Sequence, residues 1–94
     1  MMETAEISAH LYRVFVFVRT AERWVTAREI AAGAQVARRT ARAHAVRLVS
    51  SGLFDQAQVW PGHRYRMALT AAKRNPGFLR RLEDATVHFM NTGG

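Results

Sequence analysis

Four arginines fall in a stretch of the chain that contains no acidic residue. Between Glu29 and Asp55 the sequence has neither aspartate nor glutamate. The arginines in that interval are Arg38, Arg39, Arg42 and Arg47. A guanidinium group is permanently charged, and its planar fork of donors fits phosphate oxygens and guanine edges in a bidentate way. These side chains therefore predict a strongly positive local field. The alternative is that they only form a solvated helix face.

The whole chain is small and basic. It has 94 residues, 49% of them hydrophobic, and a formal net charge of +7. Lys73 is the only lysine, so the other 13 basic residues are arginines. A GC-rich genome also raises arginine content, which makes the position of the charge more informative than its total. We predict one domain over residues 1–94, because this length supports a single hydrophobic core.

Several kinds of chemistry are disfavoured by composition. The chain has no cysteine, which excludes disulfides and thiolate metal sites. Its four histidines are not spaced as paired ligands on one helix face, so we expect no metal and no cofactor. The seven acids are scattered, no nucleophile stands beside a base, and no glycine-rich phosphate loop is present. The sequence therefore predicts a protein that is not an enzyme.

No targeting or membrane segment is expected. The N-terminal MMETAEISAH lacks the basic and apolar regions of a signal peptide, and no apolar run approaches the ~20 residues that span a bilayer. The arginine-rich segment is also short of large apolar residues, which disfavours binding to a membrane surface. We predict a soluble, cytoplasmic protein.

A first helix is predicted over residues 4–22, with Thr4 as its N-cap. Its apolar stripe at helical spacing consists of Ile7, Leu11, Val14, Phe15 and Val18. The run VFVFV at 14–18 is also typical of a strand, but the continuous stripe favours a helix. Three further apolar residues lie off the stripe: Tyr12, Val16 and Phe17. Apolar side chains outside the core-facing stripe often mark a surface that contacts a partner protein.

Two shorter helices should follow. Thr26 stands three residues before Glu29, which is the capping-box pattern that begins a helix. Helix two is predicted over 27–32, ending at Gly33, which can adopt a positive φ. Helix three is predicted over 37–51 and is ended by Gly52. Its inner face should consist of Ala41, Ala45, Leu48 and Val49. Leu53 and Phe54 are then expected to return the chain to the core.

A β-hairpin is predicted next. Pro61-Gly62 lies between two runs of strand character, 56–60 and 63–67, and suits a loose turn. Tyr65 and Met67 alternate with Arg64 and Arg66, as in a strand with one buried face. Of the two tryptophans, Trp24 is expected in the core, beside a short strand or core-filling segment at Val25. Trp60 is expected to pack at the base of the hairpin.

The chain should close with a short helical turn over 69–73 and a last helix over 75–90. Asn75-Pro76 has the form of an N-cap followed by a first-turn proline. The apolar stripe of this helix consists of Phe78, Leu79, Leu82 and Phe89. Residues 91–94 are expected to be a frayed tail.

Residues 25–70 resemble the winged helix-turn-helix domains of bacterial transcription regulators, MarR-like and IclR-like proteins among them. The resemblance rests on the order T-A-R-E-I-A, a glycine, a basic helix, S-S-G-L-F, a hairpin and Y-R-M-A-L-T. It implies a mainly α fold with a small β-hairpin (α+β) and flanking N- and C-terminal helices. Gln35 departs from the family's turn glycine. Ala41, His44 and Ala45 stand where larger aliphatics are common, which predicts a thin core with His44 half-buried.

The resemblance also implies how the chain would meet DNA. Helix three would lie in the major groove, with Arg39 and Arg42 on base edges, and the hairpin would be a wing against the neighbouring backbone or minor groove. The full set of expected DNA contacts is Thr26, Arg28, Arg38, Arg39, Thr40, Arg42, Arg47, His63 and Arg64.

The sequence therefore predicts a sequence-specific, double-stranded DNA-binding protein that acts as a small transcriptional repressor. A homodimer through the N- and C-terminal helices is expected, since these helices leave apolar surface that one module does not hide. Two alternatives stay open: a replication, partition or recombination accessory factor with the same fold, and a winged helix that only docks proteins.

Overall fold

Within residues 7–59 and 62–92, which the computed structural model describes, the chain forms five α-helices and three β-strands, and side-chain surroundings are described up to residue 85. In chain order they are α1 (Ala9–Ala21), β1 (Val25–Thr26), α2 (Ala27–Ala34), α3 (Arg38–Ser50), β2 (Phe54–Val59), β3 (Gly62–Met67), α4 (Ala71–Arg74) and α5 (Pro76–Thr92). The expected winged helix-turn-helix with flanking helices, an α+β fold, is confirmed.

The first helix begins later than the sequence pattern predicts. Ser8, and not Thr4, caps it, since the Ser8 hydroxyl accepts a hydrogen bond from the Leu11 N–H at 3.0 Å. Thr4 lies outside the described residues, and Ile7 precedes the helix and packs against the core. The VFVFV run is helical, as predicted. The remaining stripe residues are fully buried: Leu11, Val14, Phe15 and Val18.

The apolar residues off this stripe are not free in the monomer. Tyr12 is buried, and Val16 and Phe17 are partly buried against the core. Phe17 reaches α2, where its ring packs directly on Gly33. The second face of α1 is therefore mostly used within the chain, which leaves less apolar surface for a partner there than the sequence predicts.

The helix-turn-helix is built as predicted at its start and differently at its turn. The capping box at Thr26 is present with both hydrogen bonds. Gly33 was expected to end α2 with a positive φ, and this prediction is wrong: the helix continues to Ala34, and Gln35 adopts the left-handed conformation at φ 58°. Gly33 instead lies inside α2 beneath the Phe17 ring.

Helix α3 packs on the core through small residues. Ala41, Ala45 and Leu48 are fully buried, and Val49 is partly buried, as predicted. Gly52 follows the helix at φ 90°, in the region that glycine adopts without strain. Leu53 and Phe54 then enter the core.

The three strands form one antiparallel sheet in the order β1-β3-β2. The hairpin register pairs Phe54 with Met67 and Val59 with Gly62, so both strands extend beyond the predicted runs. Gly62 belongs to β3 and is not a turn residue, whereas Trp60 and Pro61 lie outside the described residues. Tyr65 is buried, as the alternating pattern predicts.

Trp24 is only half-buried, which corrects the expectation that it lies in the core. The guanidinium carbon of Arg66 lies 4.7 Å from the centroid of its ring, a cation–π contact. Arg66 Nε is buried without a hydrogen-bond partner among the described residues.

The last helix begins as predicted. The Asn75 side-chain oxygen accepts a hydrogen bond from the Phe78 N–H at 3.3 Å, and Pro76 is the first helical residue. Phe78 and Leu82 are buried and Leu79 is partly buried. The helix continues to Thr92, so 91 and 92 are not a frayed tail; residues 93–94 and the side chain of Phe89 lie outside the description.

Candidate nucleic-acid interface

An open groove of about 1060 Å³ lies between α3, the start of α2 and the hairpin. We call it the basic groove. Its lining residues are Thr26, Ala27, Arg28, Arg38, Arg39, Arg42, Ala43, Val46, Val59, Gly62, His63, Arg64 and Tyr65. Five are arginines, and none of these residues is an acid. The groove thus concentrates positive charge that the sequence spreads over nearly forty positions.

One wall is the outward face of α3. Because Ala41, Ala45 and Leu48 turn into the core, the residues on the opposite side of the helix must face outward. Arg39 and Arg42 are exposed there, and Arg38, the first residue of α3, is exposed at its N-terminal end. None of the three forms an ion pair or hydrogen bond with a residue that the structure describes. Their guanidinium donors are available to a ligand.

The start of α2 forms a second wall, and the capping box holds it in place. The Glu29 N–H donates to the Thr26 hydroxyl at 3.1 Å, and the Thr26 N–H donates to Glu29 Oε1 at 2.9 Å. The Thr26 N–H bond, helped by Arg23 at 3.4 Å, holds the pKa of Glu29 below its usual value. Because the Thr26 oxygen accepts from the backbone, its hydroxyl proton can still donate to a ligand at the groove.

The hairpin forms the third wall. In the sheet, Arg64 pairs with Thr26 of β1 on one side and with Ala57 of β2 on the other. This pairing brings the wing arginine next to the first turn of α2, although 38 positions separate them in the sequence. His63 and Arg64 are half-buried at this wall.

Seven of the nine predicted contact residues line the basic groove; Thr40 and Arg47 do not. Arg47 follows Arg42 by five residues, which places it about 140° further round the helix. Its guanidinium carbon lies 5.9 Å from the centroid of the Phe78 ring, and that of Arg81 lies 5.7 Å from the same ring. Arg47 therefore belongs to a separate surface beside the start of α5.

Sequence reasoning missed the apolar members of the groove. Ala43 and Val46 lie on the same face of α3 as Arg39 and Arg42, and Val59 comes from β2. Val46 is 41% exposed and Val59 44% exposed. The signal was available in the i, i+3, i+4, i+7 spacing of positions 39, 42, 43 and 46, which defines one helix face.

Two acids on the elements that form the groove are paired with arginines that do not line it. Glu29 is bound to Arg23, and Asp55 accepts a hydrogen bond from Arg74 Nη1 at 2.9 Å. Neither carboxylate lines the groove. The arginines of the groove therefore share their surface with no carboxylate among its lining residues.

His44 lies on a different face of α3, half-buried as predicted. Burial lowers its pKa, and the charges of Arg47 and His10 lower it further. Across the described part of the chain, histidine and acidic side chains form no cluster of three or more that could hold a metal ion. Among the same residues, no helix is long and apolar enough to cross a membrane.

The sequence matches no family model, and it matches no curated protein. Its fold is similar to the crystal structure of a MarR family transcriptional regulator from Silicibacter pomeroyi DSS, with a TM-score of 0.60 and 14% sequence identity. The match covers 84% of this chain and 53% of the regulator, so this chain spans about half of that protein's length. At this identity the similarity establishes the winged helix fold.

Proposed function

We propose that this protein binds double-stranded DNA in a sequence-specific way and acts as a small transcriptional repressor. The observation that carries the proposal is the basic groove, in which five arginines and no acid surround one exposed helix face. A docking module for proteins has no need of so many guanidinium groups on one surface. The winged helix fold, shared with a transcriptional regulator, supports the same conclusion.

The dimensions agree with such a role. Helix α3 has 13 residues and is therefore about 20 Å long. The major groove of B-form DNA is about 12 Å wide and admits one α-helix. With α3 in the major groove, the hairpin wall would face the flanking backbone.

We assign roles by position within the basic groove. Arg39 and Arg42, on the outward face of α3, would contact base edges, where a guanidinium fork pairs with guanine. The remaining groove residues of the predicted set would contact phosphates and fix the register without reading sequence: Thr26, Arg28, Arg38, His63 and Arg64. Thr40 and Arg47 have no role in this assignment, because they do not line the groove.

We further propose a homodimer through α1 and α5. These two helices contact each other, so they can present one joint surface to a second copy of the chain. Such a dimer would bind a near-palindrome with half-sites about 34 Å apart, or a multiple of that distance. Sedimentation equilibrium tests this part separately, and a monomer at all concentrations would contradict it.

The experiment that tests the proposal is a fluorescence-anisotropy titration with duplexes selected by the protein from a random pool. We expect retained binding to an enriched sequence near physiological salt, and loss of that binding in the double variant Arg39→Ala/Arg42→Ala. Lys73→Ala is the matched control, because Lys73 is an exposed cation outside the groove. Binding that enriches no sequence and vanishes with salt would contradict sequence specificity.

Repression itself needs a functional assay. The selected duplex is placed across a promoter, and transcription in vitro is followed as protein is added. We expect transcript to fall with the protein's occupancy of the site. An unchanged transcript level at full occupancy would favour an accessory role in replication, partition or recombination. The same role would be favoured if the protein bends the DNA or if several protein molecules bind to one duplex.

A further inference from the structure

Two exposed valines stand among the arginines of the basic groove. Within residues 7–59 and 62–85, three large apolar side chains are exposed: Val46, Val59 and Leu69. A single exposed apolar residue is common on protein surfaces and needs no explanation. Here, however, two of the three line the same strongly charged groove, which is the surface where an apolar group is least expected.

Packing within the chain does not account for Val46. The core face of α3 is formed by Ala41, Ala45 and Leu48, all fully buried, whereas Val46 lies on the outward face and is 41% exposed. Valine is also a poorer helix former than alanine, since its branched side chain loses rotamer freedom in a helix. The residue therefore costs local helix stability without contributing to the core.

The neighbours of Val46 suggest what it contacts. Val46 follows Arg42 by four residues and Ala43 by three, so the three side chains adjoin on one helix face. Ala43 is exposed as well. Beside guanidinium groups suited to guanine edges, α3 thus presents a small apolar surface on the same helix face.

We propose that Val46, with Ala43, contacts the C5-methyl group of a thymine and so determines part of the sequence preference. This inference rests on the proposed function. The thymine methyl is the one apolar group that base pairs display in the major groove, and small aliphatic side chains pack against it. Val46 lies about 6 Å along the helix axis from Arg42, and base pairs stack ~3.4 Å apart. The thymine should therefore lie within about two base pairs of the guanine that Arg42 contacts.

The test uses duplexes selected from a random pool and their deoxyuridine derivatives, in which one thymine at a time lacks only its methyl group. For the wild-type protein, one such replacement near the Arg42 guanine should weaken binding about four-fold, the value for one buried methyl-sized group. In Val46→Ala the same replacement should have a smaller effect, because only the Ala43 contact remains. The two changes thus couple in a double-mutant cycle.

Leu69→Ala is the control, because it shortens an exposed apolar side chain that does not line the basic groove. This variant should keep the wild-type response to deoxyuridine. Circular dichroism of Val46→Ala should match the wild type, since the side chain lies outside the core. Additive effects, or a selected site without thymine near that guanine, would overturn this inference and leave DNA binding intact. Failure to bind or enrich any duplex would overturn the proposed function as well.

Discussion

The ring of Phe17 on α1 occupies the space that a side chain at Gly33 on α2 would need. A Cβ built at position 33 would overlap Cδ1, Cε1 and Cζ of that ring. Glycine is therefore required here for close approach of two helices, although the residue lies within a helix, where glycine is unfavourable by up to about 1 kcal/mol relative to alanine. The contact sets how closely the first helix packs on the helix-turn-helix.

Gly33→Ala should consequently lower the free energy of unfolding. Displacing the Phe17 ring from a packed position costs about 1–3 kcal/mol, which exceeds the gain in helix propensity. Gly77→Ala is the matched control, because a Cβ on that α5 glycine meets nothing within 4 Å. Urea unfolding should show that Gly77→Ala is neutral or stabilising. If Gly33→Ala remains destabilising in a Phe17→Ala background, the ring is not the cause.

Loss of the capping box should destabilise the helix-turn-helix. Thr26→Ala removes the hydroxyl that accepts from the Glu29 N–H and should lower stability by ~1 kcal/mol. For a domain of this size that corresponds to a decrease of roughly 4–8 °C in Tm. Thr26→Ser keeps the hydroxyl and should stay within a degree or two of the wild type in a thermal melt. Equal losses in both variants would assign the effect to the threonine methyl group instead.

Two arginines of the basic groove should affect DNA binding differently. Arg42→Ala should reduce the preference for the selected duplex over a scrambled one by about 1–3 kcal/mol, because it removes a base contact. Arg64→Ala should weaken both duplexes about equally and make the salt dependence shallower by about one unit of log–log slope. Anisotropy titrations at several salt concentrations measure both quantities. Matching losses from the two variants would contradict this division.

Stability should fall in mild acid because of His44. Its pKa is lowered in the folded chain by burial and by the charges of Arg47 and His10, so the unfolded chain binds the proton more readily. The contribution of His44 to the free energy of unfolding is fully present above ~6.5, the pKa of a histidine in the unfolded chain. It is lost as the pH falls from there through the lower pKa that His44 has in the folded chain.

Thermal melts between pH 7.5 and 5 check this expectation. His44→Gln should flatten the decline in Tm, and Arg47→Gln should flatten it in part, because it removes one of the charges that disfavour His44 protonation. An unchanged decline in His44→Gln would show that other groups are responsible.

The local signals of the sequence were sufficient for the elements themselves. The capping box at Thr26, the Asn75-Pro76 helix start and the buried stripes of α1 and α3 are confirmed, because each depends on residues within one or two turns of one another. The acid-free interval also predicted the charge of α3, since periodicity and charge order are properties of the chain alone.

Tertiary contacts decided the rest. Gly33 packs against Phe17 of another helix, and Gln35, not this glycine, adopts the left-handed conformation at the end of α2. The rotation of α3 on its core placed Val46 in the basic groove and Arg47 outside it, and sheet pairing placed Arg64 beside Thr26. A sequence specifies which residues can share a helix face, but the angle at which that face meets its neighbours depends on long-range packing, which no local pattern contains.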